Sequence, residues 1–160
     1  MPPDSLPPPR VEVVIEIPRW SFLKRGSTGS VDFVSPLPCP YNYGSVPAYL
    51  GGDDDLLDAL VLGPRLPRGT RTTVWVWGAV GFAERGMYDD KLICSREAPT
   101  PAQRRAVLGF FRCYAFCKSL LNICRGWPDG TTCKGWQPVA AALARAEPRR
   151  PDWPGPTVPF

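Results

Sequence analysis

Four aspartates crowd the stretch "GGDDDLLDALVL" (51–62): Asp53, Asp54, Asp55 and Asp58 fall within six positions, directly before an apolar run. Asp53, Asp55 and Asp58 are spaced D-x-D-x-x-D. In extended chain the first two side chains point the same way, because strand side chains repeat every second residue. Carboxylates converging at the edge of a core repel one another unless something positive sits among them. An all-oxygen donor set suits a hard divalent cation such as Mg²⁺. A calcium EF-hand loop does not fit, since counting from Asp53 puts Asp58 where that loop needs glycine and Pro64 where it needs glutamate. The other reading is a solvated acidic loop, and the spacing alone does not separate the two.

More groups of the same chemistry lie elsewhere. Glu16 sits on the polar face of a short alternating segment, and "AERGMYDDK" (83–91) gathers Glu84, Asp89, Asp90 and Lys91. Tyr41, Tyr43 and Tyr114 add phenol donors. Carboxylates that hold metal, with lysines and tyrosines that donate hydrogen bonds, make a site for a metal-bound polyanion. Each has a plainer reading: Glu16 facing solvent, Lys91 a surface charge, Tyr114 packed in the core.

The elements that must position these groups come strands first, helices last. "VEVVIEI" (11–17) alternates, with Val11, Val13, Ile15 and Ile17 on one side and Glu12, Val14 and Glu16 on the other. The segment 26–44 is broken by Gly and Pro, with one short strand at Ser30–Val34. "LLDALVLGP" reads as a buried strand, "GTRTTVWVWGAVGFAE" (69–84) as the longest strand, and "DKLICS" (90–95) as another. "TPAQ" (100–103) starts a helix, with Thr100 as cap, Pro101 in the first turn and Gln103 closing a capping box. Val107, Phe110, Phe111, Tyr114, Lys118 and Leu121 follow at helical spacing, and a second helix is expected at Pro138–Glu147. This order predicts an α+β fold: a small barrel or curled sheet with helices added at the end.

The chain has 160 residues, enough for one domain with a real core. Its prolines gather in "MPPDSLPPPR" (1–10) and "EPRRPDWPGPTVPF" (147–160), expected as tails around a folded body at 11–146. P-x-x-P spacings there could meet an SH3-like partner, but a plain disordered tail is the stronger expectation. No signal peptide and no bilayer-length apolar run are evident, so the expected setting is cytoplasmic, without a membrane partner and with six reduced cysteines. Cys113, Cys117, Cys124 and Cys133 are spaced C-x₃-C-x₆-C-x₈-C, without the paired knuckles of a zinc site, and free thiols are expected. The segment 122–136 reads as a long loop. Residues 1–75 carry seven Lys/Arg and eight Asp/Glu, and residues 76–160 twelve and seven, giving −1 and +5. That asymmetry is too mild to argue for nucleic acid, although Trp75 and Trp77 could stack bases.

"VVIEIP" (13–18), "PYNYGSVP" (40–47), "DDDLLDALVL" (53–62) and "DDKL" (89–92) stand in the order and approximate spacing of family I inorganic pyrophosphatases, which the chain resembles. The family signature D-x-D-[PE]-x-D matches at Asp53, Asp55 and Asp58, with Leu56 where Pro is usual. The resemblance is good over 11–95 and weaker beyond, through "FFRCY" (110–114) and "GW" (135–136). It implies a small mixed OB-type β-barrel flanked by C-terminal helices, and Mg²⁺-dependent hydrolysis of pyrophosphate to two phosphates. It makes Asp53, Asp58 and Asp89 metal ligands, Glu84 a ligand for metal arriving with substrate, and Glu16 a rim residue of the cluster. Asp55 becomes the candidate base or water orienter, while Lys24, Tyr43, Lys91 and Tyr114 face the phosphates. Self-association into a homo-oligomer is also implied. The absence of histidine is no obstacle, because bound metal acidifies the water.

Three positions depart from the family pattern. No arginine lies between Arg25 and Tyr43, Tyr114 is followed by Ala115 rather than lysine, and the glutamate usual after the family lysine is missing beside Lys24. Arg25, Lys118 and Arg125 are the nearby cations that could substitute. Two readings therefore stay open: a working hydrolase, and a weakened relative that binds metal–phosphate ligands or serves as an interaction module.

Overall fold

The structure is a computed structural model and describes residues 7–21, 23–25, 31–34, 38–52, 55–84, 87–124, 126 and 131–154. In chain order the strands are β1 (Arg10–Ile17), β2 (Leu23–Arg25), β3 (Val31–Val34), β4 (Asn42–Leu50), β5 (Leu56–Val61), β6 (Arg71–Glu84), β7 (Met87–Tyr88) and β8 (Lys91–Ser95). Helix α1 (Pro101–Cys124), β9 (Thr131–Gln137), α2 (Val139–Arg145) and β10 (Glu147–Pro148) complete the fold. The order β1-β4-β5-β8-β6 closes because β6 also pairs with β1, making a five-stranded barrel. Among the described strands, only β5 and β8 run parallel. β7 and β9 extend the sheet from β6, β10 pairs with β4, and β2–β3 is a separate hairpin.

Strand alternation sorts the core into two clusters. Val11, Val13 and Ile15 of β1 meet Val46, Leu57, Ala59, Val61, Val74, Val76, Leu92 and Cys94, so all five barrel strands contribute, with Ala142 of α2. The outer face carries Tyr43, Leu60, Val80, Phe82 and Ile93 beneath Val107, Phe111 and Ala115 of α1. Bulges switch residues between the clusters. The register of β1 against β4 slips between Ile15 and Ile17, so Ile17 joins the outer cluster rather than sharing a side with Val11, Val13 and Ile15. A slip between Val76 and Gly78 likewise carries Val80 and Phe82 outward.

α1 begins as its sequence dictates. The Thr100 amide donates to Gln103 Oε1 at 2.8 Å and the Gln103 amide to Thr100 Oγ1 at 3.1 Å. Several expectations are corrected. "NYG" lies inside β4, where a Cβ on Gly44 would stand 2.0 Å from the Val14 carbonyl oxygen, so glycine is what lets β4 cross β1. Of the expected loop 122–136, residues 122–124 close α1 and 131–136 lie in β9, which pairs with the overlong β6. Residue 147 does not begin a free tail, since Glu147 and Pro148 pair with Leu50 and Tyr49, and the Arg149 amide donates to Ala48 O at 3.0 Å. By length and composition α1 is apolar enough to cross a membrane, contrary to the reading above. Here one face of it is buried on the barrel through Val107, Phe111, Ala115 and Asn122.

Candidate active site

The parallel pairing of β5 and β8 sets Asp58 beside Lys91. Leu57, Ala59 and Leu92 on these strands point into the barrel, so alternation sends Asp58 and Lys91 to the outer face. Tyr43 on β4 lies in that same outer cluster. Lys91 Nζ donates to Tyr43 Oη at 2.8 Å, to Asp58 Oδ2 at 2.9 Å and to Asp89 Oδ2 at 3.0 Å. Tyr43 Oη in turn donates to Asp58 Oδ2 at 2.6 Å. All three ammonium protons are thus used. Lys91 and Tyr43 are buried, whereas the Asp58 and Asp89 side chains keep 20% and 22% exposure, so the carboxylates form the open side. Burial works against the Lys91 charge, but Asp58, Asp89 and Tyr43 outweigh it and hold the ammonium well above its ordinary pKa. Burial, then the Asp58 charge, pushes the Tyr43 phenol well above its usual range, so it remains a hydrogen-bond donor.

The remaining sequence candidates distribute around this centre. Asp55 is exposed at the start of β5, its Oδ1 accepting from the Leu56 amide at 2.8 Å while its carbonyl accepts from Gly51 at 2.8 Å. Gly52 comes so close to β7 that a Cβ would meet the Tyr88 carbonyl oxygen at 2.6 Å, which ties the start of the acidic stretch to the residue before Asp89. Glu16 is buried rather than solvent-facing, beside the slip in register between Ile15 and Ile17. Tyr114 is half-buried among aromatics, 6.1 Å from Phe82 and stacked 6.1 Å from Phe110. Lys91 Nζ lies 5.5 Å over Phe82, so Tyr114 borders the same end of the outer face. Tyr41 packs edge-on against Phe110 at 6.0 Å. Asp53 lies outside the described residues. Lys24 and Glu84 are placed only by backbone, in β2 and at the end of β6.

Comparison with known proteins bears on what this arrangement is. Residues 13–108 match the family model described as inorganic pyrophosphatase, more than half of the chain. The chain belongs to that family. Among solved structures it is similar to an inorganic pyrophosphatase from Thermus thermophilus, at 25% identity over 91% of each chain with a TM-score of 0.69. It is similar in fold to one from Coxiella burnetii, at 24% identity, 88% of this chain, 93% of that one and a TM-score of 0.69. A third is an N-terminally truncated vacuolar soluble pyrophosphatase from Trypanosoma cruzi in complex with PPi, at 22% identity, 90% and 68% coverage and a TM-score of 0.66. No curated protein sequence matches.

Within this pyrophosphatase-family chain, no three His, Cys, Asp or Glu side chains among the described residues are grouped to hold a metal. The donor chemistry nevertheless fits Mg²⁺. Tyr43, Asp58 and Asp89 surround a cation with oxygen alone, and Mg²⁺ typically needs one or two carboxylates, completing its shell with water and phosphate. One departure from the family pattern has a local reason. Ala115 is buried in the outer cluster with Val107 and Phe111, where a lysine stem would displace core. A cation from the next turn, Lys118, instead lies 6.0 Å over the Tyr114 ring. Arg125 lies outside the described residues.

Sequence reasoning missed the clamp behind the site. Asp90 is buried, and Arg145 at the end of α2 grips both its oxygens, Nε to Oδ2 at 2.8 Å and Nη2 to Oδ1 at 3.0 Å. Arg145 Nη2 also donates to Gln137 Oε1, and its guanidinium lies 4.8 Å over Tyr88. The only signal in the sequence was a basic residue closing an alanine-rich helix.

Proposed function

We propose that this protein hydrolyses inorganic pyrophosphate to two phosphates, with Mg²⁺ held by Asp53, Asp58 and Asp89 and by Glu84 when substrate arrives. The observation that carries this reading is one buried ammonium shared by two partly exposed carboxylates and a phenol, in a chain of the inorganic pyrophosphatase family. When bound, Mg²⁺ neutralises phosphoryl oxygens and makes the attacking water more acidic. Asp55 orients that water and accepts its proton as the water oxygen attacks phosphorus and the bridging P–O bond breaks. Lys91 and Tyr43, fixed at hydrogen-bond distance from each other, would donate to the phosphate oxygens. Lys24 and Tyr114 complete the clamp, and Glu16 supports the rim of the cluster from its buried place in β1. The six free thiols suit a cytoplasmic setting, and self-association is part of this proposal.

A second reading has its own observation. The chain has no arginine between Arg25 and Tyr43, and position 115 is a buried alanine. A charged hydrogen bond contributes roughly 1.5–3 kcal/mol, so two lost clamps would slow turnover by about 10²- to 10⁴-fold and could leave a binding protein. Phosphate release from Mg-pyrophosphate by the purified chain decides between them, beside Asp58→Asn and a chelator control. Release that is abolished by chelator and falls at least ~100-fold in Asp58→Asn supports the hydrolase. Folded protein that is stabilised by pyrophosphate with Mg²⁺ yet releases none supports the binding reading.

A further inference from the structure

Besides Tyr43, β4 buries two polar side chains, and the fold treats them differently. Asn42 is fully used. Its amide donates to Val61 O at 3.2 Å and Pro64 O at 2.8 Å, and its Oδ1 accepts from the Arg19 and Leu66 amides at 3.1 and 2.8 Å. Ser45 is 2% exposed, and its buried Oγ has no hydrogen-bond partner among the described residues. Taking a hydroxyl out of water without giving it a partner is unfavourable, so an orphan of this kind calls for a role.

Strand register places that hydroxyl. Val14 pairs with Ser45, Ser45 with Asp58, Asp58 with Lys91 and Lys91 with Val80, so the barrel strands contribute one continuous transverse row. Sequence neighbours of these residues, Val13, Val46, Ala59, Leu92 and Ala79, point into the barrel, which sends the row to the outer face. Asp58 is therefore flanked by Lys91 on one side and by Ser45 on the other. Cross-strand neighbours on one face have Cβ atoms about 4.5–5.5 Å apart, within reach of a hydrogen bond or of one shared water. The bonds from Lys91 and Tyr43 both end on Asp58 Oδ2, and neither involves Ser45. The other neighbour of Ser45 in the row, Val14, has no polar side-chain atom. Asp58 keeps 20% side-chain exposure, so water reaches the carboxylate beside a hydroxyl that is otherwise sealed.

The proposed function has Asp58 hold Mg²⁺, and the inference rests on that reading. Mg²⁺ gives up water reluctantly and keeps several molecules when one or two carboxylates bind it. Those waters have protons to donate, and groups that accept them around a ligating carboxylate orient the site. A serine hydroxyl is an acceptor as well as a donor. We propose that Ser45 is a positioning residue for the metal site: its Oγ accepts a hydrogen bond from a water that Mg²⁺ on Asp58 retains, which fixes the cation against β4. The partner that the fold does not supply then comes with the cation. Ser45 itself touches neither metal nor substrate.

The test is a calorimetric titration of the full chain with Mg²⁺ alone, without pyrophosphate, beside urea unfolding in chelator. Ser45→Ala is expected to bind Mg²⁺ about tenfold more weakly than wild type. Its stability in chelator should equal or exceed that of wild type, because alanine removes an orphaned hydroxyl and leaves nothing unpaired. The two readouts therefore move in different directions, which a merely structural serine would not produce. Loss of stability in chelator with unchanged Mg²⁺ affinity assigns the hydroxyl to the fold and overturns the proposal, as does a variant unchanged in both. Weaker binding accompanied by an equal loss of stability in chelator overturns it too. Wild type that takes up no Mg²⁺ overturns the underlying metal reading as well, whereas wild type and Ser45→Ala that bind Mg²⁺ equally overturn this inference alone.

Discussion

Asp89 and Asp90 are neighbours in the chain, each pairs with a cation, and the two pairs are built for opposite ends. Asp89 accepts from Lys91 at 3.0 Å, keeps 22% exposure, and shares that ammonium with Asp58 and Tyr43. Asp90 is 4% exposed and has both oxygens gripped by the Arg145 fork, which Gln137 and Tyr88 hold from the far side. The first pair is a point charge on a flexible stem among several oxygens and can exchange partners. The second is bidentate, planar and closed. Alternation at the start of β8 assigns one to chemistry and the other to holding α2 on the barrel.

Lys91→Met is expected to give the largest effect. It keeps the buried stem and removes the charge, so Asp58 and Asp89 face each other without a cation. Phosphate release should fall by about 100-fold or more, and unfolding stability by roughly 3 kcal/mol. Added Mg²⁺ should restore part of that stability, because a cation on the same carboxylates replaces the missing ammonium. Urea unfolding with and without Mg²⁺ measures this. A variant indifferent to Mg²⁺ would break the contrast, since Asp89 would then be no more exchangeable than Asp90.

Arg145→Met tests the other half. Arg145 is partly exposed, so the loss should be about 1–3 kcal/mol, smaller than for a fully buried pair. Mg²⁺ should not recover it, and the folded fraction should turn over at nearly the wild-type rate. A large fall in turnover per folded molecule would show that the clamp positions Asp89 as well as α2.

How far the sequence led can be seen in the same residues. The barrel strands around Asp58 and Lys91 were legible because each is a short, nearly continuous apolar run, and the α1 start because Thr100 and Gln103 cap each other. Asp58, Asp89, Lys91 and Tyr43 were named together on family motif, and in the structure they share one hydrogen-bonded centre. Their geometry was not legible: that Lys91 lies buried between carboxylates depends on the β5–β8 register, which no local pattern encodes. Ile17 was misassigned because a bulge resets the alternation. β4, β9 and β10 were missed because long-range pairing overrides a segment rich in proline and glycine. The Asp90–Arg145 pair spans 55 residues, and its one local trace was the basic residue that closes α2.

A third buried titratable group sharpens the contrast with the smallest effect. Cys94 stands on the strand that Lys91 begins and is equally hidden, but it points into the barrel among Val61, Val76 and Leu92. With no charge to favour ionisation, burial pushes its thiol from 9.0 up to about 12. The linkage has a definite sign. Between pH 9 and 12 the unfolded chain has lost a proton that the folded chain keeps, so this contribution is intact below pH 9 and drains away as pH rises, at about 1.4 kcal/mol per pH unit. Lys91 and Tyr43, also raised, act in the same direction but at higher pH. Cys94→Ala should therefore flatten the fall in stability between pH 9 and 10 and leave the steeper loss above it, as read by urea unfolding under reducing conditions. Equal slopes in variant and wild type would mean that water reaches Cys94, and that burial on this strand does not by itself decide which groups stay charged.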